Sequence, residues 1–218
     1  MDAEAFVTQL EQTLAARLEA LGQASAAGEP GPGLRVADLL ATALRNELEA
    51  AEEAALWLTQ EPDVEVKLAL ARQCGDEARH YRLIEARLRE LGLDPASRPP
   101  LAGGYSPMFE YLRGLSTTVE RIAAGPFARE ALAQVRNAVF IDYCVGQGDE
   151  VTAALYREVI QPDEAHHHRL GRSLLVRLAV DEPSQARASA AAARTLELAG
   201  ELQEIARLKK GICRAPGC

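Results

Sequence analysis

The sequence has few aromatic residues and no long hydrophobic run. Phe, Trp and Tyr make up 5% of its 218 residues, with a single Trp. A β-sandwich of this size would need more aromatic and β-branched side chains. No run of about 18 apolar residues is present, so no membrane-spanning helix is predicted. Hydrophobic residues still reach 48% of the chain, much of it alanine, which favours one all-α domain with a packed core.

Lysine is scarce as well, and acidic residues outnumber basic ones by 32 to 24. Lys67, Lys209 and Lys210 are the only lysines, and the net charge is -8 with a pI of about 5.1. This balance argues against nucleic acid or an anionic membrane as a partner. The four cysteines are scattered and form no disulfide framework, and the acidic N-terminus does not resemble a secretory signal. We therefore expect a cytoplasmic protein.

Helical periodicity divides the chain into six segments. Helices are predicted over about 2–21, 34–59, 63–91, 108–145 and 149–180, and a final helix ends near Lys210. The stretch from Asp94 to Pro107 is rich in proline and glycine and is predicted to cross between two helical hairpins. The expected organisation is an N-terminal helix and linker (1–33), a four-helix bundle (34–180) and a C-terminal helix and tail (181–218).

A doubled motif is the strongest signal in the sequence. Asp76-Glu77-Ala78-Arg79-His80 returns later as Asp163-Glu164-Ala165-His166-His167. In each copy, the Glu and the His are three residues apart, so they share one face of a helix. Both pairs interrupt apolar stripes, where a carboxylate is costly unless it is paired or binds a metal. The alternative is that these Glu and His side chains form a solvated helix face that binds no metal.

Two further carboxylates are predicted at the same height in the bundle. Glu47 lies as far before the turn near Pro62 as Glu77 lies after it, and Glu130 and Glu164 are related in the same way about Gln147. Glu49, Glu52 and Glu53 are expected to be solvated. The predicted metal ligands are four carboxylates and two imidazoles, a donor set suited to iron or manganese: Glu47, Glu77, His80, Glu130, Glu164 and His167. No catalytic residue beyond these ligands is predicted.

Other residues near the motifs have predicted supporting roles. Asp76 and Asp163 are each expected to orient the His of the opposite helix. Pro126 and Pro162 stand just before Glu130 and Glu164. They either begin new helices or kink continuous ones, and the kink is favoured because a central site needs long helices. Cys213 and Cys218 of the tail are expected neither to pair nor to bind a metal.

The doubled motif resembles those of the ferritin-like superfamily of carboxylate-bridged dinuclear metal proteins. The resemblance covers roughly residues 34–180, and the first copy is similar to the Asp-Glu-x-Arg-His motif of bacterial multicomponent monooxygenases. The second copy departs from it, with His166 in place of Arg. The resemblance implies a bundle in which the six residues bind two metal ions, iron, manganese or a mixed pair, and activate dioxygen or peroxide.

The expected function is oxidation or hydroxylation of a small organic substrate. A histidine in each hairpin favours an oxygen-activating enzyme, and small residues such as Ala54, Ala123 and Gly171 are expected to leave room for a pocket beside the metals. Such an enzyme would need an external electron donor, a ferredoxin or a flavoprotein reductase. The alternatives are a ferroxidase, an iron-handling protein or a peroxide scavenger, and a metal-free scaffold. The sequence leaves a homodimer open.

Overall fold

The computed structural model describes residues 1–217, and within that range every regular element is helical. Five of the helices are uninterrupted: α1 (Ala3–Ala27), α2 (Val36–Gln60), α3 (Val64–Glu90), the short α4 (Pro107–Arg113) and α7 (Glu182–Lys210). Two more contain a π-helical segment. Helix α5 runs through Thr118–Ile122, the π segment Ala123–Arg129 and Glu130–Gly146; helix α6 runs through Glu150–Leu155, the π segment Tyr156–Ile160 and Gln161–Leu178. A 3₁₀ turn, Pro95–Ser97, lies between α3 and α4.

The four long central helices form two hairpins. The first consists of α2 and α3, and the second of α5 and α6. Each return helix starts at an aspartate that caps free backbone N–H groups: Asp63 accepts from Glu65 and Val66, and Asp149 accepts from Thr152. The connection from α3 to α5 crosses between the hairpins, as expected.

The crossover is longer than predicted. The sequence pattern placed the start of the third bundle helix near residue 108, but α5 begins at Thr118. Residues 107–113 form the separate helix α4, which starts at the Ser106-Pro107 cap and ends at Gly114. Thr117 and Glu120 then form a capping box that starts α5. The first helix also runs further than expected, to Ala27.

The two prolines lie within continuous helices. Pro126 is inside the π segment of α5, and Pro162 follows the π segment of α6 by two residues. Neither begins a new helix, so the reading in which the helices continue through the prolines is confirmed. The distortion is a π segment, in which the wider turn accommodates the missing N–H of proline.

Two apolar clusters enclose a polar layer in the middle of the bundle. One includes Leu70, Phe127 and Leu175 together with residues of α1 and α7, and the other includes Leu40, Ile84 and Phe140. Helices α1 and α7 pack mainly against the second hairpin. The polar layer between the clusters holds the predicted ligands. None of the helices within residues 1–217 is long and apolar enough to cross a bilayer.

Residues 211–217, here called the tail, turn back along the bundle after α7. Gly211 reverses the chain in a left-handed conformation (φ 62°). The buried hydroxyl of Ser25 donates to the carbonyl of Cys213 at 2.7 Å, and the thiol of Cys213 donates to the carbonyl of Gly28. Gly217 N donates to Asn137 Oδ1 at 2.8 Å inside the bundle. Cys218 lies outside the described residues, so its predicted role stays a prediction.

Candidate metal centre

The structure brings all six predicted ligand residues together in the polar layer. Glu47 comes from α2, Glu77 and His80 from α3, and the other three from α5 and α6. Each of the six is 4% exposed or less. They form two overlapping groups, and within each group the ligand atoms all lie within 4.8 Å of one another. The first group holds Glu47, Glu77, His80 and Glu164; the second holds Glu77, Glu130, Glu164 and His167.

Glu77 and Glu164 belong to both groups, and their oxygens divide between the two histidines. Glu77 Oε2 lies 3.3 Å from His80 Nδ1, and Glu77 Oε1 lies 3.4 Å from His167 Nδ1. Glu164 repeats this arrangement at 3.9 Å and 3.7 Å. Each of the two carboxylates therefore faces two cation positions at once. Glu47 faces only the first position, where its Oε2 lies 3.4 Å from His80 Nδ1.

Each imidazole is oriented by an aspartate from the opposite hairpin. His80 Nε2 lies 2.9 Å from Asp163 Oδ2, and His167 Nε2 lies 3.1 Å from Asp76 Oδ2. These are the cross-helix pairs expected from the sequence. Because an ionised carboxylate only accepts hydrogen bonds, the Nε2–H groups donate. In the neutral form of each imidazole, Nδ1 then faces the glutamates with a lone pair available for a cation.

The electrostatics of the cluster show how unfavourable four adjacent buried carboxylates are. Burial raises the pKa of Glu47 to about 8, and burial together with repulsion from Glu164 raises the pKa of Glu130 well above its usual value. Burial would also raise the pKa of Glu77, but the close imidazoles of His167 and His80 hold it well below its usual value. The cluster needs positive charge to be stable when ionised.

The histidines also show that the cluster needs positive charge. Burial lowers the pKa of His80, but hydrogen bonds and attraction from Glu47 and Glu77 outweigh it and raise the pKa to about 12. For His167 the same balance, with Glu164 and Glu77, gives a pKa of about 11. Protons on the imidazoles thus compensate the carboxylates in the absence of another cation. A divalent ion would take the place of such a proton.

Unpaired buried atoms indicate that a metal would fit here. Within residues 1–217, Glu164 Oε2 and His167 Nδ1 are buried and have no hydrogen-bond partner. Buried polar atoms are normally paired, and exceptions commonly mark an ion or a water. The cavity that reaches between the ligands measures about 10 Å³ and is lined by Glu47, Glu77, Glu130 and Glu164. The donor set, the unpaired atoms and the burial all agree with two hard cations.

Sequence reasoning missed several residues that contact the ligands. Gln73 Nε2 donates to Glu130 Oε1 at 2.8 Å. Its position one turn before Glu77 on the same face was a usable signal. Arg129 lines the small cavity and pairs with the buried Glu53 at 2.9 Å. Gly217 of the tail also lines the cavity, and no sequence pattern indicated that contact.

Two expectations about neighbouring residues were wrong. Glu49 and Glu53 are buried rather than solvated. Glu49 accepts from Ser106 N at 2.8 Å and pairs with Arg45, while Glu53 pairs with Arg129. Ser106 lies in the crossover and Arg129 in the π segment, so the period of α2 alone could not reveal these two partners. Half-buried Glu52 accepts from the hydroxyl of Tyr105 at 2.7 Å.

The small residues beside the site do not form a pocket. Ala54 and Ala123 are fully packed in the core. A Cβ placed on Gly171 would lie 2.6 Å from the carbonyl carbon of Pro126. Glycine is needed there because α6 approaches the π segment of α5 closely. A large cavity is present between α2, α7 and the tail, but none of these small residues lines it.

Comparison with known proteins adds no assignment. The chain matches no protein-family model, no curated protein and no solved structure. What the structure establishes is therefore an all-helical chain with a buried cluster of carboxylates and histidines compatible with two metal ions.

Proposed function

We propose that this chain is a ferritin-like dinuclear metal oxidoreductase that binds two iron ions and activates dioxygen on a small organic substrate. Manganese or a mixed iron–manganese pair would suit the same donors. One observation carries the proposal: Glu77 and Glu164 each present one oxygen to each of the two histidines. A single cation would not need that shared arrangement, whereas a pair of cations does.

The position of each residue in the cluster would determine its role. Glu47 and His80 would hold one ion, Glu130 and His167 would hold the other, and Glu77 and Glu164 would bridge them. Asp163 and Asp76 would keep the imidazole Nδ1 atoms turned inward. Gln73 would hold Glu130 by its hydrogen bond. The surrounding apolar clusters would exclude bulk water from the ions.

The metals would supply the redox chemistry that these side chains lack. A reduced pair of iron ions can pass electrons to dioxygen, which neither carboxylate nor imidazole can do. The chain would then depend on an external electron donor, a ferredoxin or a flavoprotein reductase, to reduce the ions again. A large cavity that shares Asn46 with the small cavity between the ligands supports the enzyme over the alternative, a ferroxidase, iron-handling or peroxide-scavenging protein.

Anaerobic loading followed by oxygen uptake tests the proposal. Metal-free protein is loaded with ferrous iron without oxygen, and dioxygen consumption is recorded on mixing with air-saturated buffer. We expect uptake that saturates at two irons per chain and is lost in Glu77→Gln. Size-exclusion chromatography distinguishes the alternative, since a large hollow oligomer would indicate iron storage. Iron bound without any oxygen uptake would contradict an oxygen-activating function.

A further inference from the structure

A large cavity borders the residues next to the metal cluster and has a charge opposite to that of the protein. Its volume is about 710 Å³, and it is bounded by α2, the crossover, α7 and the tail. The chain carries a net charge of -8. The cavity wall nevertheless contains one acidic residue, Asp38, against five basic ones: Arg45, Arg98, Arg136, Lys209 and Lys210.

Much of this positive charge is not neutralised by the protein. Asp38 is already paired with Arg35, and Arg45 is paired with Glu49. Arg98 lies close enough to Asp38 to lower the pKa of that carboxyl, whereas Lys209 and Lys210 form no ion pair with any residue in the range 1–217. Arg98 belongs to the crossover, and the two lysines end α7. An anionic group is the ligand that this arrangement would attract.

The cavity has two polar ends and a mostly apolar wall between them, and the Arg136 side chain at the inner end already donates to Ala199 O and Gln203 Oε1. Leu34, Asp38 and Lys210 mark the outer end, and the turn at Gly31 and Gly211 lies beside them. Asn46 and Ala199 mark the inner end. From the rise of an α-helix, Asn46 lies roughly 12 Å from Asp38 along α2, and Ala199 lies roughly 16 Å from Lys210 along α7. Between the ends, the wall is mostly apolar; it includes Met108, Leu202, Ile212, Ala215 and Pro216.

The inner end borders the metal cluster. Asn46 lines both the large cavity and the small cavity between the ligands. Pro216 lines the large cavity and Gly217 the small one, so the end of the tail separates the two spaces. Asn46 Nδ2 donates to the carbonyl of Pro216 at 3.5 Å, which is a long bond. A Cβ placed on Gly217 of the tail would lie 4.0 Å from Glu47 Oε1. The barrier between the cavity and the ligands is therefore thin.

We propose that this cavity binds the substrate, an amphipathic molecule with one carboxylate or phosphate group and an apolar body. Its anionic group lies at Arg98, Lys209 and Lys210, its apolar body lies along the wall, and the far end of that body reaches Asn46, next to the metal cluster. That the bound molecule is a substrate rests on the proposed function, but the binding site itself does not require metals. It gives the oxidation a defined target, the apolar end of an anionic molecule.

Calorimetric titration of metal-free, full-length protein tests the site. The probes are octanoate and octyl phosphate, with octan-1-ol as the uncharged control; comparing the two anions shows which head group is preferred. We expect one molecule of each anion per chain, with octan-1-ol at least tenfold weaker. Shortening the chain is expected to weaken binding by about threefold per methylene. Equal binding of octan-1-ol would overturn the proposal, because no cation would then be involved.

Substitution of the exposed cations supplies the matched comparison. The triple variant Arg98→Gln, Lys209→Gln, Lys210→Gln is expected to lose at least tenfold in affinity for both anions and to leave octan-1-ol unchanged. Arg187→Gln, an exposed change on α7 outside the cavity, is the control. Unchanged affinity in the triple variant would overturn the proposal. Failure of all probes in a protein that sediments as a dimer would assign the groove to a second copy of the chain instead.

The orientation is tested with paramagnetic protein. In protein loaded with Mn²⁺, the terminal methyl protons of octanoate are expected to relax faster than the methylene next to the carboxylate. The reverse gradient would overturn the proposed orientation. If the protein binds octanoate but takes up no metal, the binding site stands and the proposed oxidation fails, so the two failures are distinguishable.

Discussion

The two hairpins carry the same motif on helices of different construction. In the first, α2 and α3 are regular α-helices, and Gly75 next to the motif has open space around it. In the second, both helices contain a π segment, and Gly171 lies against the backbone of the other helix. The difference teaches that similar ligand geometry is reached by regular α-helices in one hairpin and by π-distorted helices in close backbone contact in the other.

The distortion of the second hairpin is held by specific contacts. His168 Nδ1 lies 2.8 Å from the carbonyl oxygen of Phe127 in the π segment, and the two rings stack at 5.3 Å. Helix α7 covers the outside of the same segment. Since π segments are rare and often occur at functional sites, we interpret them here as the means by which Glu130 and Glu164 reach the cluster.

The largest predicted effect concerns the two carboxylates that the hairpins share. Glu77→Gln and Glu164→Gln should each reduce the metal content from about two ions per chain to less than one, because each carboxylate faces both positions. Glu47→Gln and Glu130→Gln should each lose only one ion. Elemental analysis of the purified variants measures this, with His166→Ala as a matched control. Equal loss in all four variants would show that no carboxylate is shared.

Substitutions of Asp163 and Asp76 are expected to lower metal affinity equally, although the two hairpins differ in construction. Asp163→Asn and Asp76→Asn should each weaken binding of one metal by about 10- to 100-fold, because the imidazole loses the charged acceptor that orients it. Competition with a chelator measures the affinity. Asp142→Asn on α5, where no hydrogen bond to a ligand forms within the described chain, is the control. Unchanged affinity in both aspartate variants would remove the aspartates from the account.

A pair of glycine substitutions tests the packing difference directly. Gly171→Ala should lower the free energy of unfolding by about 1–3 kcal/mol, because its Cβ would meet the Pro126 backbone. Gly75→Ala should raise it by about 0.5–1 kcal/mol, because alanine is favoured in an exposed helix. Chemical denaturation of metal-free protein measures both. If Gly171→Ala were neutral, the second hairpin would not be tightly packed.

The smallest effects are expected at the turns of the hairpins. Asp149→Asn should cost about 1 kcal/mol and Asp63→Asn less than about 0.5 kcal/mol at neutral pH, since each removes an ion pair while the Asn side chain still caps the helix. Asp149 pairs with the half-buried Arg87, whereas Asp63 pairs with the exposed Arg177. Denaturation at several pH values measures the difference.

The pH dependence at Asp149 has a definite sign. Burial raises the pKa of Asp149, but hydrogen bonds from Thr152 and Arg87 outweigh it and hold the pKa below the usual value. The stabilisation is therefore present at neutral pH and disappears as the pH falls through the lowered pKa. The gap between wild type and Asp149→Asn should close in acid. A gap that persists there would mean that the charge of Asp149 is not involved.

The sequence predicts the ligand positions better than their surroundings. Helical period and the distance from each turn are local quantities, and they were enough to place Glu47 beside Glu77 and Glu130 beside Glu164. They could not reveal the burial of Glu49 and Glu53, because the partners Ser106 and Arg129 come from distant segments. The contact of Gly217 with the small cavity depends on the path of the tail, which no periodicity encodes.

The central claim is that six side chains of this chain hold two metal ions. A ferrous iron titration of freshly prepared metal-free protein under anaerobic conditions, followed by elemental analysis after desalting, measures it most directly. The account predicts two tightly held ions per chain in the wild type and fewer than one in Glu77→Gln. A wild-type protein that retains no iron or manganese after desalting would contradict it.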